Sequence, residues 1–468
     1  KSLFLNTQPS SQAFKDRPFE KACFTLAEDL VMPDEDELVG EGSDLDEEAQ
    51  LKDPWTLCIS CGAIAQGWNA PTGCACGNPI TVSLNRVEVK EETSRSDMIT
   101  VSKCPACGGF RSSGIVHPFL TGQDAPVSVL ATALYQNLPA SDEEEMQWMP
   151  GQGRKLLVFS DSRQDAAFFA PYLERTYQQI LRRRLILQTL LEDEDAREGR
   201  LRLKDMVRRL LQQAEGAGFF TPTDSFDQRK DQVFKWLMQE FVALDRFISL
   251  EGLGLIQFRL VKPDRWQPPA PLLQAPWNLK PNEAGDVIAL LIDSLRAQGC
   301  IRYPGNVDPR DEDFAPRNQM IYITERVPDA KTHTLSWLPR RGSNRRLDLL
   351  MRLLAQSNPA MGAAQRKQAA EAVLEGLWRQ FSKDPAWRYH IVSETIPQQG
   401  VVYQANHEMW EIGPVAADQA IYRCSRCKSL TTIHIRGICP NYQCNGHLER
   451  LDTSTPEWLD NHYRRLFL

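Results

Sequence analysis

Ten of the twelve cysteines in this 468-residue chain fall into five close pairs, and that spacing restricts the fold more than any other feature. The pairs are Cys58/Cys61, Cys74/Cys76, Cys104/Cys107, Cys424/Cys427 and Cys439/Cys444, with Cys23 and Cys300 standing alone. A Cys-x-x-Cys pair is too tight to staple distant parts of a fold, but it lets two thiolates grip one ion. The pattern therefore predicts metal modules in a reducing, cytoplasmic setting rather than a disulfide framework.

The C-terminal set reads Cys424-Ser-Arg-Cys427, eleven residues, then Cys439-Pro-Asn-Tyr-Gln-Cys444. Two knuckles joined by a short hairpin supply the four soft ligands of tetrahedral zinc. The intervening Ser429–Arg436 stretch is β-prone and is followed by Gly437, so a zinc ribbon is expected, with His434 and His447 unneeded as ligands. The N-terminal set allows two arrangements. Cys58-x-x-Cys61-Gly and Cys104-x-x-Cys107-Gly share one pattern, which favours those outer pairs around one ion; the compact alternative is Cys58, Cys61, Cys74 and Cys76. Two structural zinc ions are expected in all, because all-thiolate sites rarely keep the open position that catalysis needs.

With 42% hydrophobic and 25% charged residues the chain reads as globular, and no uncharged apolar run reaches the length of a membrane span. A formal charge of −7 argues against a protein coated in basic residues but leaves local basic grooves open. Residues 33–50 are acidic and of low complexity, a solvated linker closing an N-terminal segment 1–50. A first zinc module is expected over 51–120, helical periodicity over Val127–Leu138 and mainly helical structure over 171–250. A Pro-rich break spans 263–281, and helical patterns resume at 283–298 and 344–382. Trp337-Leu-Pro-Arg340-Arg341-Gly-Ser-Asn-Arg345-Arg346 gathers four arginines and an indole at a helix start, a mix suited to a phosphate backbone and a stacked base.

Lys155-Leu-Leu-Val-Phe159 predicts a strand buried on both faces, breaking into Ser160-Asp-Ser-Arg-Gln-Asp165 and a long amphipathic helix, with Ser162 and Asp165 as a capping box. Such a strand–turn–helix is where α/β sheets bind phosphates. No Gly-x-x-x-x-Gly-Lys-Ser/Thr loop occurs, and no Ser-His-Asp or Cys-His arrangement has a credible context. The block Lys155–Ala167 resembles the first strand and motif IV turn of the second RecA-like domain in superfamily 2 DEAD/DEAH-type helicases of the MrfA-like group, which includes the DISARM and Druantia phage-defence motors. Arg246–Gly254, Trp337–Arg346 and Asn461-His-Tyr463 resemble further elements of that group.

The resemblance implies an α/β fold with a large, mainly α-helical insertion and two zinc ribbons. Its segments would be the start of the second RecA-like domain at 121–175, the insertion at 176–415 and the second ribbon with a following helix at 416–468. It implies an internal stretch of a longer ATP- and Mg²⁺-dependent motor that translocates on DNA with a partner subunit. Ser160, Ser162, Arg163 and Gln164 would contact the nucleic-acid backbone or the interdomain cleft. The competing expectation is a non-enzymatic zinc-ribbon adaptor that binds DNA or a partner protein.

Overall fold

Helix Leu203–Gly216 shows how the body is built: Leu203, Met206, Val207, Leu210, Leu211 and Ala214 recur at three- and four-residue steps and are the residues it buries. The computed structural model describes residues 23–26, 54–66, 74, 76, 80–87, 90–91, 99–100, most of 130–157, and 163–468 apart from 222, 243–247, 265, 306, 312–313, 315–320, 328–333, 341 and 398. The architecture is mixed α/β. Its principal helices are α1 (Arg163–Glu192), α2 (Leu203–Gly216), α3 (Phe226–Phe241), α4 (Pro281–Gln298), α5 (Arg345–Ser357), α6 (Ala363–Lys383) and α7 (His462–Phe467).

Local signals set their ends. Ser225 and Gln228 form a capping box on α3; Pro281 opens α4, and Gly299 closes it in the left-handed conformation at φ 80°. The helical pattern over 344–382 divides into α5 and α6, because Asn358-Pro359 cannot continue a helix. Among the described residues between 130 and 137 the backbone is helical, as the periodicity predicts.

One core runs from Leu185 to Phe467 and takes in Ile435 of the ribbon, with Ile433 and Ile438 packed against it, while the ribbon's cysteines and Leu448 form a small cluster of their own. A five-stranded sheet lies against the main core. Ile391–Ile396 and Gly400–Asn406 form its hairpin, Tyr322–Thr324 joins antiparallel, and Thr334–Ser336 and Ile301–Arg302 add parallel pairings. Ile256–Leu260 pairs with Trp410–Pro414, joining segments that lie far apart along the chain.

The N-terminal module is a separate four-stranded antiparallel sheet in the order Cys23–Leu26, Thr81–Val87, Pro54–Cys58, Ile64–Gln66. Its first strand comes from upstream of the acidic stretch, so the sheet reaches across the expected boundary at residue 50. Its described core is small: Leu57 and Leu84 are buried, with Trp55, Ile64 and Val82 against them.

The region of the motif IV resemblance differs from expectation. Helix α1 begins at Arg163, but Arg154–Leu157 form no strand, Leu157 is 81% exposed, and Val158–Ser162 lie outside the described residues. Among the described residues no strand pairs with Arg154–Leu157, so this stretch gains no ladder hydrogen bonds.

Candidate metal centres

The ribbon is built on a three-stranded sheet with Tyr422–Cys424 between Leu430–Thr431 and Leu448–Arg450. Cys424 ends the central strand. The chain then turns through Cys427 to Lys428, which takes a left-handed φ of 62° and donates its N–H to the Cys424 carbonyl at 3.1 Å. The second knuckle closes as the Cys444 N–H donates to the Asn441 carbonyl at 3.1 Å. The result brings Cys424, Cys427, Cys439 and Cys444 together, all four sulfurs within 4.8 Å of one another.

Sulfur separations identify the chemistry. Cys424 Sγ lies 3.6 Å from Cys444 Sγ, and Cys427 Sγ 3.6 Å from Cys439 Sγ. A disulfide would need about 2.05 Å. Four thiolates at about 2.3 Å from a zinc ion form a tetrahedron with edges of about 3.8 Å. The donor set fits zinc and, being complete at four sulfurs, leaves no water position. Such an ion is structural.

The surroundings favour thiolate at Cys427. Its thiol is held far below its ordinary pKa, first by hydrogen bonds from the Cys439 and Cys444 thiols and then by Ser429. The Ser429 hydroxyl lies 2.7 Å from the sulfur, and Asn441 Nδ2 donates to it at 3.1 Å. Cys444 is pushed up to about 11, chiefly by its contact with Cys427. Four sulfurs this close ionise together only around a cation. Gly446 leaves the room: a Cβ there would collide with Cys424 Sγ and with the Arg426 backbone.

The second group of sulfurs is Cys58, Cys61, Cys74 and Cys76. Cys58 ends strand Pro54–Cys58, and the Gly62 N–H closes the knuckle on its carbonyl at 2.8 Å, with Gly62 at φ 78°. Cys61 Sγ is 3.5 Å from Cys74 Sγ, and Cys58 Sγ is 3.9 Å from Cys76 Sγ. Cys58 is drawn down to about 6, first by the Cys61 backbone N–H, while Cys76 is pushed up to about 12, first by its contact with Cys61. The structure thus brings the four sulfurs of the compact set together, while Cys104 and Cys107 of the favoured outer pairs lie outside the described residues. Four sulfurs at these separations can fill a tetrahedral zinc shell. The physical reason is reach: the Thr81–Val87 strand returns along Pro54–Cys58 and delivers the preceding Cys74 and Cys76 beside the first knuckle. The two centres differ in setting, since Cys61 is exposed whereas Cys424, Cys439 and Cys444 are buried.

The C-terminal centre is fastened to the helical body by residues that spacing does not reveal. Arg352 on α5 donates to the carbonyls of Cys439 at 2.7 Å, Cys444 at 3.0 Å and Asn441 at 2.8 Å. Asp348, one turn earlier, pairs with Arg352 at 2.8 Å and accepts the Gln443 N–H at 2.9 Å. Arg436 donates to the Asn278 carbonyl at 2.7 Å and to the Ser357 hydroxyl.

The arginines expected to meet nucleic acid divide. Arg340 is exposed and Arg345 half-buried, while Arg341 lies outside the described residues. Arg346 is a correction: it is fully buried, donating to the Ser336 carbonyl at 2.7 Å, the Trp337 carbonyl at 3.1 Å and Gln298 at 3.1 Å. Trp337 is also fully buried, with its indole N–H on the Leu374 carbonyl, so it offers no face to a base. A planar cation and a large indole are worth more inside this core, where their donors find carbonyls. Arg163 and Gln164 stand in the first turn of α1, and Ser160 and Ser162 lie outside the described residues.

Among the described residues no helix is long and apolar enough to cross a membrane. Comparison with protein-family models, curated proteins and solved structures gives no match to this chain.

Proposed function

We propose that this protein is the zinc-braced, nucleic-acid-gripping part of an ATP-driven DNA helicase or translocase of superfamily 2, working in the cytoplasm in phage defence or DNA repair. The observation that carries the reading is the block Lys155–Ala167, whose last five residues open the 30-residue helix α1. Arg163 and Gln164 open helix α1, and a helix N-terminus is where backbone N–H groups suit phosphate; by the resemblance Ser160 and Ser162 would join them. Two four-cysteine groups on separate small sheets fit rigid attachments beside a nucleic-acid path. With no Walker-type loop in the sequence, ATP and Mg²⁺ belong in this reading to another part of the motor.

A second reading, a zinc-ribbon adaptor without motor activity, is favoured by one observation: Arg154–Leu157 form no strand and Leu157 is exposed. Isolated in its native polypeptide and assembly, the protein should hydrolyse ATP in a DNA-dependent manner, and Arg163→Ala with Gln164→Ala should slow that hydrolysis at unchanged zinc content. DNA binding without ATP hydrolysis would favour the adaptor. Absence of both activities would sink both readings.

A further inference from the structure

Within the ribbon, Ile433 and Ile435 point into the main core while His434 between them stands exposed. The turn that places it is fixed by the Ile433 N–H donating to the Thr431 hydroxyl at 3.1 Å. His434 stacks on Tyr422 with ring centroids 4.4 Å apart and planes 27° from parallel. Tyr422 is backed on its inner side by the buried cysteine cluster, so the pair forms a supported π-platform whose outer ring faces solvent.

Strand register adds charge to this platform. Tyr422 lies directly opposite Arg450 on one side and Thr431 on the other, so these residues share one face of the sheet. Glu449 is opposite Arg423 and therefore projects from the other face. The platform face of the three strands thus carries an exposed arginine and no carboxylate. The whole segment Ile421–Asp452 holds five Lys or Arg residues against two acids, on a chain whose formal charge is −7.

We infer that the His434–Tyr422 stack with Arg450 is a docking platform for one base and its phosphate in a single strand of nucleic acid. Every base offers a π-face, and stacking joined to a neighbouring cation is how sequence-tolerant single-strand sites are built. A duplex hides its base faces. An acidic peptide would use Arg450 but has no need of the open imidazole. The inference rests on the nucleic-acid reading above and adds to it the surface and the strandedness. It shares no residue with the Lys155–Ala167 block or the Arg340–Arg345 segment.

The test is fluorescence anisotropy of the 468-residue chain with labelled oligothymidylate and oligouridylate, zinc content being measured for each variant. His434→Ala should weaken binding by about 5- to 100-fold, as expected for losing one stacked base, and His434→Phe should restore it. Arg450→Gln should lower the salt slope by about 0.7, one phosphate contact on a single strand. Comparison of the two oligomers tells whether DNA or RNA is preferred at the same platform. Wild-type binding that is untouched by both variants would overturn the platform while leaving nucleic-acid binding intact elsewhere. Failure of the wild type to bind either oligomer would overturn the platform together with the nucleic-acid reading. Displacement by polyglutamate, sensitive to Arg450→Gln but not to His434→Ala, would assign the face to an acidic protein instead.

Discussion

Arg352→Ala removes the clamp between α5 and the second zinc knuckle. The guanidinium satisfies three carbonyls of the ligand loop, at Cys439, Asn441 and Cys444, and neutralises Asp348. A hydrogen bond to a charged group is worth about 1.5–3 kcal/mol, but three bonds sharing one donor do not add. Breaking a buried ion pair costs about 3–5 kcal/mol, since the surviving charge stays desolvated. The side chains of Arg352 and Asp348 are 16% and 11% exposed, which places this pair at the lower end, about 3 kcal/mol. At about 2–4 °C per kcal/mol, Tm should fall by about 6–12 °C.

The clamp also orders the backbone that carries two of the four ligands, so zinc affinity should fall by about 10- to 100-fold, the range for lost outer-shell partners. Zinc release to a chromogenic chelator, followed beside thermal unfolding, measures both effects. Arg352→Lys keeps the charge but not the fork and should recover less than half of the loss. An Arg352→Ala protein that releases zinc and melts as the wild type does would refute the coupling between docking and metal.

Chelation should remove zinc in two phases, the fast one from the Cys58–Cys76 centre with its exposed Cys61, and Gly446→Ala should abolish the slow one because its methyl collides with Cys424. A single phase would contradict the difference in burial. Arg346→Met loses buried hydrogen bonds to the Ser336 and Trp337 carbonyls and should destabilise by about 1–3 kcal/mol in urea while leaving DNA affinity of the folded protein unchanged; weaker DNA binding at full stability would return it to the surface. Burial lowers the pKa of His390 and of His407 below the ordinary 6.5, so the unfolded chain binds more protons and stability should fall as pH drops through about 6.5. The urea midpoint from about pH 7.5 to about 5.5 measures this slope, and His407→Asn should flatten it.

What the sequence shows of this protein depends on how far each partner lies along the chain. The Cys424–Cys444 ligand set is legible because knuckle spacing is local, and α2 and α4 are legible because their periodicity and the Pro281 and Gly299 boundaries are local too. The first ligand set is harder: two Cys-x-x-Cys-Gly knuckles look equivalent, and only the returning Thr81–Val87 strand brings Cys74 and Cys76 to Cys58. Arginines are the least legible of all. Arg346 reaches Ser294 and Gln298 on α4, Arg352 reaches carbonyls 87 to 92 residues downstream, and Arg296 is buried between Glu251, Asp293 and the Phe241 carbonyl. An arginine cluster at a helix start reads the same in one dimension whether it faces phosphate or carbonyl; the difference lies in partners that the local pattern does not contain. That distinction bears directly on the proposed nucleic-acid reading. With Arg296, Arg346, Arg352 and Arg436 assigned to internal bracing, the exposed ribbon face, where Arg450 lies opposite Tyr422 of an aromatic stack, is the surface on which the proposed platform rests.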